Sequence, residues 1–558
     1  MTSSGWKFVL TDALETVLPT QEPRPMKAGR RGSVFLDEPY SVQVAFRPPA
    51  SARVRGAELR LEFAGSAAPY ASGHVVDLVP ATLPAFPDHD DNYLVDEPGL
   101  YPDVLRPLED GVVEPLVGHW RSIWIDVCVL ADAWSSDHDQ VDLELDITIS
   151  AVRSDEVLYA SQLPVTVINR QLPPLDLINT QWLHADCVLD TVGGEAFDEG
   201  HWQALDAYIA SAARMNITGL LTPIWTPPLD TEVGRRRTPV QLVDIRRSGD
   251  QYSFGFDKLG RWLELLRKNG IGYVEVAHLF SQWGATATPA IDAEVDGELV
   301  QIFGWEVAAT DPSYRTFLEQ FIPALRSYLA EHWDESKVLY HISDEPHQGQ
   351  QESYRAAREV VVDLLDGCTL IDALSDLDFY RTGLVANPIV ATNHAVPFLE
   401  ADIDDLWFYY CVSQNVDVAN RFIAMPAARH RVIGHQLFAM QAAGFLHWGF
   451  NFYNSMLSRR KINPFADTCA GGAFPAGDPF IVYPGPDRTV LESTRHRVAA
   501  AAFHDHRALQ LLRDRAGRDA AIKIIDPDGS LSFTNYPRDP EHFLDVREQI
   551  NAAILDAK

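Results

Sequence analysis

Two acids stand side by side in the stretch HISDEPHQGQ: Asp344 and Glu345, directly before Pro346, with His341 and His347 around them. They follow the apolar run Val338-Leu339-Tyr340, which has the composition of a buried strand. On a regular strand neighbouring side chains point to opposite faces, so the pair cannot share a pocket while the strand persists. Pro346 ends ladder pairing and keeps Glu345 out of the helical region, leaving room for a twist that turns both carboxylates to one rim. There the two have separable chemistry. A poorly solvated one stays protonated as a general acid, and the other, ionised, stabilises developing positive charge. As a bare dipeptide, the pair is equally compatible with an exposed polar loop.

Three other chemistries fit these residues less well. His341, Asp344 and His347 have a three-residue spacing that suits metal ligation from a helix, but the segment is a strand and its exit, so no metal is expected. No GxSxG elbow surrounds Ser343 or any other serine. The basic run Gly234-Arg235-Arg236-Arg237, with Arg246-Arg247, is read as neutralising an acidic surface rather than as an anion site.

The elements that must position the pair follow from the rest of the chain. Its 558 residues exceed one compact core, and two or three domains are expected. The 78 acids outnumber the 46 bases, a formal net charge of −32, which argues against nucleic-acid and anionic-membrane partners. No apolar segment reaches membrane-spanning length, and MTSSGWKFVLTDALE lacks the pattern of a secretory signal. Five scattered cysteines without a CxxC pair argue against a disulfide framework or zinc site, so a cytoplasmic protein without a cofactor is expected. Oligomeric state is left open.

Residues 1–172 carry period-two alternation in SVQVAFRP, ARVRGAELRLEFAG, WIDVCVL, VDLELDITISAV and LPVTVINRQLPP, which predicts a β-sandwich. From 173 to 505 strand-like runs alternate with amphipathic helices. Strand candidates are LDLINTQ, GLLTPIW, IGYVEVAHLF, KVLYHIS, LIDALS, GLVANPIV, LWFYYCV, RVIGHQLF and GFLHWGFNFY, a pattern that predicts a (β/α)8 barrel. An open doubly wound sheet is disfavoured because no GxGxxG follows an early strand. Residues 506–558 are expected to hold a helix and a small β element, with AIKIIDPDGSLSF as a strand pair around an Asp-Gly turn.

Barrel chemistry sits where strands end at their C-terminal side. Those positions hold His184, Asp186, Trp225, His278, Trp283, Asp344, Glu345, Tyr409, Tyr410, Gln436, Trp448, Asn451 and Tyr453. Aromatic, amide and carboxylate groups at one rim suit a sugar, which offers apolar C–H faces for stacking and hydroxyls for hydrogen bonds. Any one of these aromatics could equally be a packing residue. The residues alone reach a barrel with a carbohydrate-like rim.

HISDEP, TPIWTPPLDT, HLFSQWGA, DALSDLDFY, LWFYYCVSQ, GFLHWGFNFYN and GDPFIVYPGPD, in that setting, resemble glycoside hydrolase family 123, the β-N-acetylgalactosaminidases, and a related domain of unknown function. The resemblance spans most of residues 175–515, and the region before it is similar to the β-sandwich that precedes the barrel in that family. It implies a retaining exo-acting hydrolase of terminal β-linked GalNAc, in which the substrate's own 2-acetamido oxygen attacks the anomeric carbon. Carried over residue by residue, Glu345 protonates the leaving oxygen and then activates water, while Asp344 orients the acetamido group and stabilises the oxazolinium-like charge. Tyr410, Trp448 and Tyr453 match aromatic motifs of the family and are expected at the acetamido pocket and sugar face. Trp225, His278, Trp283, His341 and Asn451 are the further substrate contacts expected at the rim. A glycosidase for a sugar without an acetamido group, and a non-catalytic glycan-binding protein, remain as alternatives.

Overall fold

The structure is a computed structural model and describes residues 5–49 and 57–557. The chain forms two compact units. One comprises residues 1–176, 419–440 and 491–558; the other comprises 177–418 and 441–490.

In the first unit two five-stranded sheets carry the expected sandwich. Lys7–Asp12, Pro39–Arg47, Arg121–Cys128, Ala71–Ala81 and Gly99–Pro107 form one sheet, in that spatial order. Gly32–Leu36, Val157–Gln171, Gln140–Ala151, Leu59–Ala64 and Val112–Val113 form the other. Along Gln140–Ala151 the alternation seen in sequence is the alternation of burial, whereas Pro39–Arg47 is buried on both faces from Val42 to Phe46. Val42, Val44 and Phe46 from one sheet meet Leu145, Ile147 and Ile149 from the other in a single core. Residues 52–56 of the expected strand ARVRGAELRLEFAG lie outside the described residues. The remainder pairs as Leu59–Ala64.

Two expectations for this unit are corrected. RVIGHQLF is not a strand: it lies in helices Ala427–Arg431 and Ile433–Ala439. Its residues are buried nearly all round, so no polar face reveals a helical period, and Val432-Ile433 mimics strand composition. Gly434 is required by contact, since a Cβ there would meet the backbone of Ala502 on helix Thr494–Ala516. AIKIIDPDGSLSF is not a strand pair either: Arg518–Ile525 is a helix burying Ala521 and Ile525, one turn apart. The Asp-Gly turn does form, with Gly529 at φ 73°, but it follows a helix. Among the described residues no strand follows Leu491, and helix Thr494–Ala516 runs through the boundary expected at 505.

The second unit is a closed barrel of eight parallel strands: Ile178–Gln181, Gly219–Thr222, Tyr273–Val276, Val338–Tyr340, Thr369–Leu374, Asn387–Ala391, Trp407–Tyr409 and Gly444–His447. The last pairs with the first, Ile178 opposite Gly444, which closes the ring. The strands are short because both faces are covered, and their inward side chains, including Leu221, Leu339, Ile389 and Trp407, fill the interior. Outside the ring, helices Glu199–Arg214, Asp257–Lys268 and Pro312–His332 follow the first three strands, as their amphipathic patterns predict. A four-stranded sheet, Asp244–Ser248, Gln251–Gly255, Ile291–Val295 and Glu298–Phe303, is inserted after the second and third strands. No helix among the described residues is long and apolar enough to cross a membrane.

Candidate active site

The fourth barrel strand ends at Tyr340, yet its backbone stays tied to the segment leaving the third. Leu279 N–H donates to the His341 carbonyl, Phe280 N–H to Ile342 and Trp283 N–H to Asp344, at 3.0–3.2 Å. The Ser343 hydroxyl adds a bond to the Ser281 carbonyl at 2.8 Å. The chain then breaks direction at Glu345, whose φ of 41° lies in the left-handed region, ahead of the buried Pro346. That turn is the device by which neighbours on a strand come to line one cavity. His347 is exposed and caps the following turn, its Nδ1 accepting from Gly349 N–H at 3.2 Å.

The cavity, about 600 Å³ including its open mouth, lies at the C-terminal ends of the barrel strands. Asp344 and Glu345 line it together with Trp182, Trp283, Trp448 and Phe474. Trp283 is 43% exposed and also left-handed, at φ 54°. Trp448 is held in place from behind. Its indole N–H donates to Asp478 at 3.1 Å, and Phe474 meets its ring edge-on at 5.7 Å. Its carbonyl accepts from His184 Nε2 at 2.9 Å.

Both acidic pKa values rise. Burial pushes Asp344 well above the usual carboxylate range, and the Glu345 charge adds to this while His341 opposes it. Burial also raises Glu345, against hydrogen bonds from the Tyr409 hydroxyl and the Cys411 thiol, whose Sγ lies 3.9 Å from Oε1. Two carboxylates this close titrate as a pair that holds a proton above the ordinary carboxylate range.

Beneath the pair lies a wholly buried ionic layer. His341 Nε2–H meets Glu275 Oε1 at 2.7 Å, and Nδ1 faces Asp372 at 3.3 Å. Trp182 Nε1–H also donates to Glu275, at 2.6 Å; Asp372 further accepts from Ile342 N–H at 3.0 Å and from the Tyr354 hydroxyl. Burial alone would lower the His341 pKa, but Asp372 and Glu275 carry it up to about 9, so the imidazole is a cation. His278 stacks on it at 4.2 Å and is kept neutral by burial first and by that neighbouring charge second.

Of the residues expected at the substrate, Asp344, Glu345, Trp283 and Trp448 line the cavity, and six lie behind it. Trp225, 0% exposed, donates from its indole to the His278 carbonyl at 3.0 Å and packs on Phe321 of the outer helix. His278 and His341 belong to the layer below. Tyr410 points away, onto Phe445 and His447; its neighbour Tyr409 faces inward, as period-two alternation requires. Asn451 bridges both main-chain groups of His184, at 2.8 and 3.1 Å, and Tyr453 donates to the Val482 carbonyl at 2.9 Å. Arg237, read from sequence as a surface base, is buried and grips Asp186 through two nitrogens at 2.8 and 2.6 Å. Sequence reasoning missed Asp230, Gln282 and Trp182 in the cavity wall. The first two lie in loops after strands, where no periodicity marks them.

A parallel barrel whose strand ends present paired carboxylates among exposed aromatics is the arrangement of a glycosidase. Residues 182–512 match the model of the glycoside hydrolase 123 catalytic domain, and the chain belongs to that family. No curated protein sequence matches it. Its fold is similar to that of a family 123 glycoside hydrolase from Clostridium perfringens, in a structure concerned with glycolipid glycan hydrolysis. The identity is 13% and the TM-score 0.71, over 99% of this chain and 98% of that one. A β-glucuronidase from Ruminococcus gnavus matches at 9% identity over 90% of this chain and 96% of its own, and β-glucuronidase 2 from Bacteroides uniformis at 10% over 85% and 49%. Their TM-scores of 0.31 and 0.30 are too low to bear on the fold.

Proposed function

We propose that this glycosidase removes terminal β-linked GalNAc with retention, using the substrate's acetamido oxygen as the nucleophile. Glu345 is the general acid and then the base. Asp344 orients the acetamido N–H and balances the charge of the cyclised intermediate. The observation that carries the reading is the left-handed turn at Glu345, through which both carboxylates line one cavity. The distribution of donors supports the division of labour once substrate is considered. Glu345 already accepts from Tyr409 and Cys411, whereas among the described residues no donor is hydrogen-bonded to the Asp344 carboxylate. An acetamido N–H supplies that donor, favours the ionised form of Asp344 and leaves the pair's proton to Glu345. Trp283 and Trp448 offer faces for the sugar's C–H groups. Glycolipid glycans, the subject of the Clostridium perfringens structure, are a natural substrate class to test.

The deciding experiment is a panel of nitrophenyl glycosides that differ only at C2 and C4, together with a thiazoline mimic of the intermediate. Strong thiazoline inhibition and turnover confined to 2-acetamido sugars are expected. Efficient cleavage of plain β-galactosides, or indifference to the thiazoline, would overturn the mechanism.

A further inference from the structure

Beyond the two carboxylates, the cavity wall contains a donor and an acceptor with no part in breaking the bond. Gln282 follows the third barrel strand and Asp230 the second, and their groups interlock: Asp230 N–H donates to Gln282 Oε1. That bond fixes the orientation of the amide, since only its oxygen can accept. The other end, Nε2, is buried without a hydrogen-bond partner, on a side chain 4% exposed that lines the cavity with Asp344 and Glu345. A buried amide donor left unmade costs about 1–3 kcal/mol, and in a cavity wall a ligand oxygen can recover it.

Asp230 lines the same wall. One carboxylate oxygen accepts from Leu457 N–H at 3.0 Å, and its carbonyl accepts from the Ser458 hydroxyl at 2.7 Å. Its backbone is left-handed at φ 40°, as are Leu457 at 60° and Ser458 at 50°. Strain held by mutual hydrogen bonds at a cavity rim is typical of a group kept in place for a ligand. Burial raises the Asp230 pKa to about 6, so the group remains largely a carboxylate at neutral pH.

We infer that Asp230 and Gln282 are the specificity-determining pair of this site: Gln282 Nε2–H donates to one oxygen of the terminal sugar, and Asp230 accepts from a hydroxyl of the same ring remote from the anomeric carbon. A hydroxyl both donates and accepts, which a carboxylate beside an amide N–H matches and an apolar wall does not. The inference takes its sugar ring from the proposed glycosidase reading, but it does not need the acetamido group.

The test is a cycle of enzyme and substrate changes. Nitrophenyl β-N-acetylgalactosaminide and its 3-, 4- and 6-deoxy analogues are compared on the wild type, Asp230→Asn, Gln282→Leu and Gln282→Glu. The last keeps the acceptor for Asp230 N–H while replacing the donor by an acidic oxygen, Gln282→Leu removes the donor without adding an acid, and Asn tolerates the left-handed backbone at 230. For at least one analogue the wild type should lose up to about 10⁴–10⁵-fold in kcat/KM, the range in which a built hydrogen-bonding site rejects a missing hydroxyl. The variants should lose similarly on the parent sugar and lose little more on that analogue. Equal losses on all four sugars would reduce the pair to a structural role, and unchanged parent activity, or a wild type indifferent to every deoxy analogue, would also overturn the inference. Should the wild type prefer a 2-hydroxy sugar, the acetamido mechanism fails alone, and the same cycle on that sugar's deoxy analogues decides this inference.

Discussion

The layer beneath the cavity and the wall around it use the same residue types to opposite ends. Below, Glu275, His341 and Asp372 are charges without water, yet each faces an opposite charge, and Trp182 and Tyr354 add donors. In the wall, the acids Asp230, Asp344 and Glu345 face one cavity, the Gln282 donor is unpaired, and Asp230, Trp283 and Glu345 hold left-handed backbones. The lower layer pairs its charges with one another, although Glu275 Oε2 and both His278 ring nitrogens lack a hydrogen-bond partner among the described residues, whereas the wall turns its unpaired donor to a cavity. Burial and a high local charge are therefore not marks of catalysis by themselves; lack of a protein partner at a cavity surface is the better guide.

The largest effect expected from breaking this contrast is on turnover. Glu345→Gln should lower kcat/KM by about 10²–10⁴-fold, most for substrates with poor leaving groups, and Asp344→Asn should lower it comparably for all leaving groups. Equal leaving-group dependence in the two variants would contradict their roles. Because Asp344→Asn removes like-charge repulsion within the wall, its thermal unfolding midpoint should match or exceed that of the wild type.

A change in the lower layer should do the reverse. Asp372→Ala strands the His341 cation beside one carboxylate and leaves the Tyr354 hydroxyl unpaired, so a loss of about 3–5 kcal/mol in stability is expected, read by denaturant unfolding. Stability unchanged by this substitution would show that the layer does not carry the barrel.

The pH dependence of stability is the next largest effect. An unfolded histidine titrates near 6.5 and His341 at about 9, so its contribution is complete below about pH 6.5 and is lost as the pH rises through 9. The full contribution is on the order of 3 kcal/mol, at about 1.4 kcal/mol per tenfold change in proton affinity. The wild-type unfolding midpoint should fall between pH 6.5 and 9.5 more steeply than that of His341→Gln. Parallel curves would place the sensitivity elsewhere.

The smallest effect concerns the Tyr409 hydroxyl, one of two donors that reach Glu345. Tyr409→Phe removes a hydrogen bond that favours ionised Glu345, so the Glu345 pKa rises and the alkaline limb of kcat/KM should move up by about one pH unit. An unmoved limb would separate Glu345 from that titration.

Depth explains what could be read in advance. A sandwich strand such as Gln140–Ala151 announces itself because it has one wet and one dry face, and period-two alternation survives in the residue types. Where an element is dry all round the signal vanishes, and RVIGHQLF, helical in the structure, reads as a strand for that reason. The same limit governs the site. Aromatics at strand ends were legible as a group, but which of Tyr409 and Tyr410 faces inward depends on where the strand register begins, and a shift of one residue reverses the answer.

By itself, the sequence determined the sandwich, the alternating βα units, and an acid pair at the end of the fourth strand, because each is written in neighbouring residues through local periodicity and a proline. Only the tertiary structure decided that Asn451, Tyr453 and Trp225 brace the cavity from behind, that Arg237 is buried on Asp186, and that Asp230 and Gln282 meet in the wall. These outcomes depend on contacts between segments 29 to 267 residues apart, such as Asp230 with Gln282 and Leu457. No local pattern encodes which loop will lie beside which; closure of the barrel does, by bringing all eight strand ends to one rim.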